Sequence, residues 1–136
     1  MKLGDDKMSI ANSYYIRGRV NKNYERLENA LKDIHKAFSY LDPTAAKYLK
    51  RKTTYQIQIA KLYQKLKDFG LAEDYYLQAL KNSEHLYGEE SKETAKLLNS
   101  IGTLYGDWGK SKVEEEYYEK VSQIQNIIQN QKEIDL

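Results

Sequence analysis

Two histidines, a run of glutamates, three clustered glycines and thirteen tyrosines are the residues of this chain whose types could do chemistry. His35 and His85 could bind a metal or move a proton, but each lacks a histidine or cysteine partner three or four residues away, so both are expected on the outward parts of their helices. Glu114, Glu115, Glu116 and Glu119 could serve as paired acid and base carboxylates. Their place in the first turns of a helix, where negative charge is favoured, gives them a plainer role as a solvated face. Gly102, Gly106 and Gly109 are spaced for a helix end and not for a loop that cradles phosphate. No catalytic set emerges, and an enzyme is not expected; neither is a metal or a cofactor.

The charge pattern is more specific. Lys47, Lys50, Arg51, Lys52, Lys61, Lys65 and Lys67 lie in a stretch, Thr44 to Lys67, that contains no acid, although the whole chain has a net charge of only +2. Tyrosines beside lysines can stack on single-stranded nucleic acid. Here Tyr14, Tyr63, Tyr76, Tyr105 and Tyr118 recur at positions that core packing already explains, and nucleic acid is the weaker reading. A basic, amide-bearing helix face suits the backbone and acidic side chains of an extended peptide. The same run is also compatible with a merely solvated face.

The elements that position these residues follow from periodicity. Apolar residues recur three and four apart along the chain, with no alternating run long enough for a strand, so it is read as nearly all helix. The expected helices cover about Met8 to Asn23, Glu25 to Leu41, Asp42 to Leu66, Leu71 to Tyr87, Lys92 to Tyr105 and Ser111 to Gln131. In the first, Ile10, Tyr14 and Gly18 share one face. Asp42 followed by Pro43 reads as a helix start. Asp68, Phe69 and Gly70 read as the next turn with Gly70 supplying the unusual torsion, Gly88 closes the fourth helix, and Ser91 is a cap for the fifth. Changes at Lys52 are expected to do almost nothing to stability.

These helices repeat. Gly18, Ala60 and Gly102 are spaced by 42 residues, and matching sites align with them: Asn21, Tyr63 and Tyr105; Ala30, Ala72 and Glu114; Ile34, Tyr76 and Tyr118; Ala37, Ala79 and Val121. Units of a few tens of residues with helical spacing inside each copy must stack to bury their apolar faces, which is the signature of a solenoid. Small residues at the first two rows let paired helices approach closely. Glu114 breaks the rule, so either the sixth helix is rotated, with Val113 and Tyr117 turned inward, or this is an atypical terminal unit.

The motif residues resemble the tetratricopeptide repeats, in particular the 42-residue variety of kinesin light chains. The stretch running from Ala79-Leu80 through Thr94-Ala95-Lys96-Leu97-Leu98-Asn99-Ser100-Ile101-Gly102-Thr103-Leu104-Tyr105 to Gly109-Lys110 carries the likeness best. Ile59-Ala60-Lys61-Leu62-Tyr63 with Ala72, Tyr76, Ala79 and Leu80 repeats it. The first copy departs, with Asn21 in place of the tyrosine and Arg17 where an apolar residue is usual. The resemblance spans about Ile10 to Gln125. It implies an all-α solenoid of three helix-turn-helix repeats, about 10–43, 53–86 and 95–128, forming six antiparallel helices in one domain over 1–136 with a polar tail at 132–136. It also implies that the first helix of each pair lines a concave groove.

On that basis the groove is expected to carry Tyr15, Arg19, Gln58, Lys61, Lys65, Lys96 and Asn99 and to hold an acidic or amide-rich peptide segment of another protein. Family members that clamp the carboxylate of heat-shock chaperones use lysines, asparagines and an arginine. Only Lys96 matches that set; Tyr15, Arg19, Gln58 and Ser100 stand at the other places, so that clamp is not expected. In kinesin light chains an asparagine beside the site of Asn99 holds cargo backbone, and Ser100 and Gln58 occupy that place here. A structural role is the alternative: Ile124, Ile127 and Ile128 in the sixth helix lie beyond the length of its partner and are expected to bury against a second copy or the remainder of a longer array. A fragment of a longer scaffold or regulator fits the same features. The absence of cysteine and of an apolar run behind Met1 to Ser9 leads to a cytoplasmic protein without a membrane segment.

Overall fold

A computed structural model describes residues 3–20, 27–42 and 44–134, and the side chains of the first helix over residues 7–16. The helices are α1 (Leu3–Val20), α2 (Leu27–Ser39), α3 (Leu49–Lys65), α4 (Phe69–Tyr87), α5 (Lys92–Asp107) and α6 (Ser111–Ile134), and a 3₁₀ turn, Ala46–Tyr48, leads into α3. No strand occurs among the described residues. The expected helix boundary at Asn23 and Glu25, the repeat sites Arg17, Gly18 and Asn21, and Pro43 fall on positions or side chains outside the described set. The chain forms two compact units, Met1–Tyr75 and Tyr76–Leu136.

In the first unit α1 packs on α2 and α2 on α3. The core is built from Ala11, Ala30, Ile34, Ala37, Leu41, Tyr55, Ile59 and Leu62, with Met8, Tyr14, Tyr15, Leu31, Phe38 and Tyr75 packed around it. In α2 the buried residues fall three and four apart, as a helix with one apolar face requires. Complete burial of a side chain such as Ile34 contributes about 2 kcal/mol. Ala60 and Ala72, both fully buried, bear out the small-residue row of the repeat. In α1 the inward face differs from expectation. Ala11 is buried while Ile10 is 41 % exposed, because Met8 and Tyr14 with Ala11 make the stripe that meets α2.

In the second unit α5 packs on α6 around Ala95, Leu98, Val121 and Ile124, bordered by Leu80, Tyr117 and Ile128. Gly102 works as the small residue of its row: a Cβ there would lie 2.7 Å from Cε1 of Tyr118. Glu114 sits half-buried at its row, over Gly106, where any side chain would collide with its carboxylate. A bare glycine thus leaves room for the carboxylate at the place where α5 and α6 approach. Tyr117 turns inward against Tyr105, ring centroids 5.3 Å apart, so Tyr118 is left 36 % exposed and is not the core residue its row predicts.

The connections explain two further corrections. α3 does not start at Asp42: that carboxylate accepts from the Thr44 amide at 2.9 Å and from its hydroxyl at 2.7 Å, closing a local turn, and regular helix begins only at Leu49. Those Thr44 bonds, the backbone one foremost, also hold the Asp42 carboxyl below its ordinary pKa. Gly70 is not the turn residue between α3 and α4, since it lies inside α4. The left-handed position is Lys67, with φ 62°. The Lys67 amide donates to the Gln64 carbonyl at 3.0 Å and the Asp68 amide to Tyr63 at 2.9 Å, which is the Schellman closure of a helix end. At the start of α5, Ser91 is the cap that its position predicts, its hydroxyl accepting from the Thr94 amide at 3.1 Å. Thr94 is itself buried, its hydroxyl 3.0 Å from that of Ser83 in α4 and donating to the Gly88 carbonyl at 2.8 Å.

Candidate functional site

The helix that carries the acid-free basic stretch is amphipathic in a particular way. One side of α3 is core, through Tyr55, Ile59, Ala60 and Leu62. Across the helix, Gln58 is half-buried and Lys61 and Lys65 are exposed, at spacings of three and four that align them on one face. An amide and two ammonium groups on one face can accept and donate to a peptide backbone and neutralise a carboxylate.

The other basic residues of the stretch are not equivalent to these. Lys52 is 8 % exposed, a buried position, which removes the ground for expecting its substitution to do almost nothing to stability. Arg51 is half-buried, and its Nη1 donates to Oδ1 of Asn12 in α1 at 2.6 Å. It thereby ties α3 to α1. The Tyr55 hydroxyl next to it is buried with no hydrogen bond of good geometry, and its pKa is raised by burial, with the nearby Arg51 charge opposing.

The remaining expected groove residues divide by environment. Tyr15 is half-buried and packs on the core, its ring 4.8 Å from that of Tyr55. The Arg19 side chain lies outside the described residues. In the second unit Lys96 and Asn99 are exposed on α5. The neighbouring hydroxyls fold back on the helix, Ser100 donating to the Lys96 carbonyl at 3.3 Å and Thr103 to that of Asn99 at 3.1 Å.

The three isoleucines of α6 do not share one environment. Ile124 is 7 % exposed within the core of its unit, and Ile128 packs against that core. The premise that both lack internal cover is therefore corrected: α5 and the Leu80 side chain extend the apolar surface far enough to meet them. Ile127, at 38 % exposed, faces outward.

His35 is also not the surface residue its spacing predicts. Its Nε2 lies 3.2 Å from the Tyr63 hydroxyl, and its ring meets Tyr63 and Tyr75 edge-on at 6.0 and 5.8 Å. Burial among these aromatics lowers its pKa. His85 is exposed. Among the described residues no group of three or more His, Cys, Asp or Glu side chains could hold a metal ion, and no helix is long and apolar enough to cross a membrane.

One cluster was missed from sequence. Met8, Lys47, Lys50, Arg51 and Thr54 line a cleft of about 380 Å³ in the first unit. Its signal was present in part, because Lys50, Arg51 and Thr54 lie one and three apart on α3, while Lys47 comes from the 3₁₀ turn before it.

A tetratricopeptide-repeat family model matches residues 52–126. Among solved structures, the chain is similar to BtubC (BKLC) from P. vanneervenii, with a TM-score of 0.77 and 22 % identity over 85 % of this chain and 46 % of that one. It is also similar to a Podosopora anserina putative kinesin light chain with nearly identical TPR-like repeats, with a TM-score of 0.76 and 16 % identity over 89 % of this chain and 57 % of that one. The chain thus spans about half the length of these solved structures. Among curated proteins, none matches it. Both structural likenesses are of fold, and they agree with the helical hairpins described above. With the family match covering α3 to α6 and the buried small residues of the 42-residue repeat in place, the chain belongs to the tetratricopeptide repeat family, an all-α solenoid fold whose members generally bind other proteins.

Proposed function

We propose that this protein is a cytoplasmic interaction module that binds an extended, acidic or amide-rich segment of another protein along the polar face of α3. The observation that carries the reading is the division of α3 itself. Its inner side is sealed into the core by Tyr55, Ile59 and Leu62, while Lys61 and Lys65 are exposed on the face that also carries Gln58, in a helix whose sequence contains no acid. Gln58 offers both a donor and an acceptor for peptide backbone, and the two lysines offer charge to acidic side chains. Family membership supplies the class of partner. In the second unit, Lys96 and Asn99 on α5 offer the same two kinds of group and form a second contact face, to be tested separately. We assign no catalytic role to any residue.

The test is capture of the natural partner by the parent protein and by Lys61→Glu with Lys65→Glu, with helicity followed by circular dichroism. Both residues are exposed, so the double substitution is expected to keep the fold and abolish capture. Equal capture by a folded variant would remove the α3 face from the reading.

A further inference from the structure

Glu114 stands where the other two repeats carry a fully buried alanine, Ala30 and Ala72. The residue that it covers has changed in step. Gly106 takes the place of Lys22 and Gln64, so the long polar side chain has moved from the first helix of the pair to the second. A carboxylate is thereby held half-buried over bare backbone, at one end of the open stripe of α5. That stripe is Lys96, Asn99, Thr103 and Gly106, spaced by three, four and three, which sets them along one side of the helix.

Glu114 makes no ion pair among the described residues. Two ammonium groups close to it in sequence are engaged on rings, Lys110 at 3.8 Å from the centroid of Trp108 and Lys120 at 4.8 Å from that of Tyr117. The Tyr118 hydroxyl lies 3.5 Å from Oε2 of Glu114 and 3.2 Å from Oγ1 of Thr103, whose own proton goes to the Asn99 carbonyl. Tyr118 thus has one proton for two acceptors, and most of the acceptor capacity of the carboxylate is left open. An anion held partly out of water without a cation is costly, and an incoming lysine or arginine offsets that cost. At the other end of the stripe Lys96 is exposed, and neither it nor Asn99 makes a side-chain bond among the described residues. From Lys96 to Gly106 the helix rises about 15 Å, a span that an extended chain covers in about four or five residues.

We propose that the α5 face binds an extended segment of mixed charge in a protein partner, with an acidic residue at Lys96 and a lysine or arginine at Glu114. It rests on α5 being a second contact face and names what that face selects. Asn99, between the two charges, donates to and accepts from the backbone of the segment. A segment that is acidic throughout is selected against here, because it would bring a second carboxylate to Glu114.

The experiment follows amide NMR signals of the full chain during titration with short peptides, blocked at both ends, in a serine and asparagine background. One peptide carries a glutamate and a lysine four residues apart; its reversed order is titrated as well, since a chain can run either way along α5. The better binder of the two is compared with twins in which either the lysine or the glutamate is glutamine. The expected result is saturable shifts at residues 96–106 and 114–118, weakened at least about threefold in each twin, the size of a partly exposed ion pair. In Glu114→Gln the lysine peptide and its glutamine twin should bind alike, while the preference for glutamate remains. Glu119→Gln, an exposed acid on the same helix, should keep both preferences. Circular dichroism checks that both variants stay folded.

Absence of shifts along α5 at millimolar peptide, equal binding of the lysine peptide and its twin by the parent, or a lysine preference that survives Glu114→Gln or is lost in Glu119→Gln would overturn the assignment. Shifts at residues 58–65 report the α3 face in the same spectra, so a failure at α5 is distinguished from a failure of the α3 reading.

Discussion

Lys67 and Gly109, 42 residues apart, hold the same left-handed backbone position at the ends of α3 and α5, with φ of 62° and 79°. The surrounding bonds match as well. The Gly109 amide donates to Gly106 and the Lys110 amide to Tyr105, as Lys67 does to Gln64 and Asp68 to Tyr63. Only glycine reaches this conformation without a steric cost, which for other residues is roughly 1–2 kcal/mol.

Lys67→Gly is therefore expected to stabilise the chain by about 1 kcal/mol, after allowance for the greater freedom of glycine in the unfolded state. Gly109→Lys should lose a similar amount. Urea denaturation followed by circular dichroism reads both. A destabilised Lys67→Gly would show that the lysine side chain contributes more at this turn than its backbone costs.

The α5–α6 approach gives a second expectation. A Cβ at residue 102 meets the Tyr118 ring at 2.7 Å and the Tyr117 Cβ at 3.4 Å, and Tyr118 is the partner with somewhere to go. Gly102→Ala should cost about 1–3 kcal/mol by overpacking, less what alanine gains in helix propensity, and most of the cost should vanish in a Tyr118→Ala background. A strictly additive double mutant would mean that Tyr117, not Tyr118, sets the approach.

His35 sets a pH dependence. Burial disfavours its charged form and lowers its folded pKa from the usual 6.5, with Tyr63 and Tyr75 facing the ring. Below pH 6.5 the unfolded chain then binds more protons than the folded one. Stability is expected to be fully present above that value and to fall as pH drops through the folded pKa. The melting temperature measured between pH 7 and pH 5 should fall less steeply in His35→Gln than in the parent. Parallel curves would assign the acid sensitivity elsewhere.

The repeat and its buried small residues were legible because a 42-residue period compares each helix with its own copy. Ala72 and Ala79 could be placed by reading Ala30 and Ala37. The Ser91 cap was legible because side-chain capping depends on residue type alone. The turn at Lys67 was not, since lysine does not advertise a left-handed torsion and nearby Gly70 does. Nor was the inward face of α1, where Ala11 is buried and the larger, more apolar Ile10 is not. For the site, the exposure of Lys61 and Lys65 followed from helical spacing. The fates of Arg51 and Lys52 did not, because a count of charges treats every basic residue as a head group and ignores the stem that packs.

Peptide binding along α3 is read residue by residue from amide shifts of the parent protein titrated with an unphosphorylated glutamate-rich peptide and, in parallel, with a lysine-rich peptide of equal length. Binding along α3 predicts saturable shifts at residues 58–65 with the acidic peptide only, weakened by added salt and lost in Lys61→Glu with Lys65→Glu. Shifts that are absent from α3, or equal for the two peptides, would contradict it.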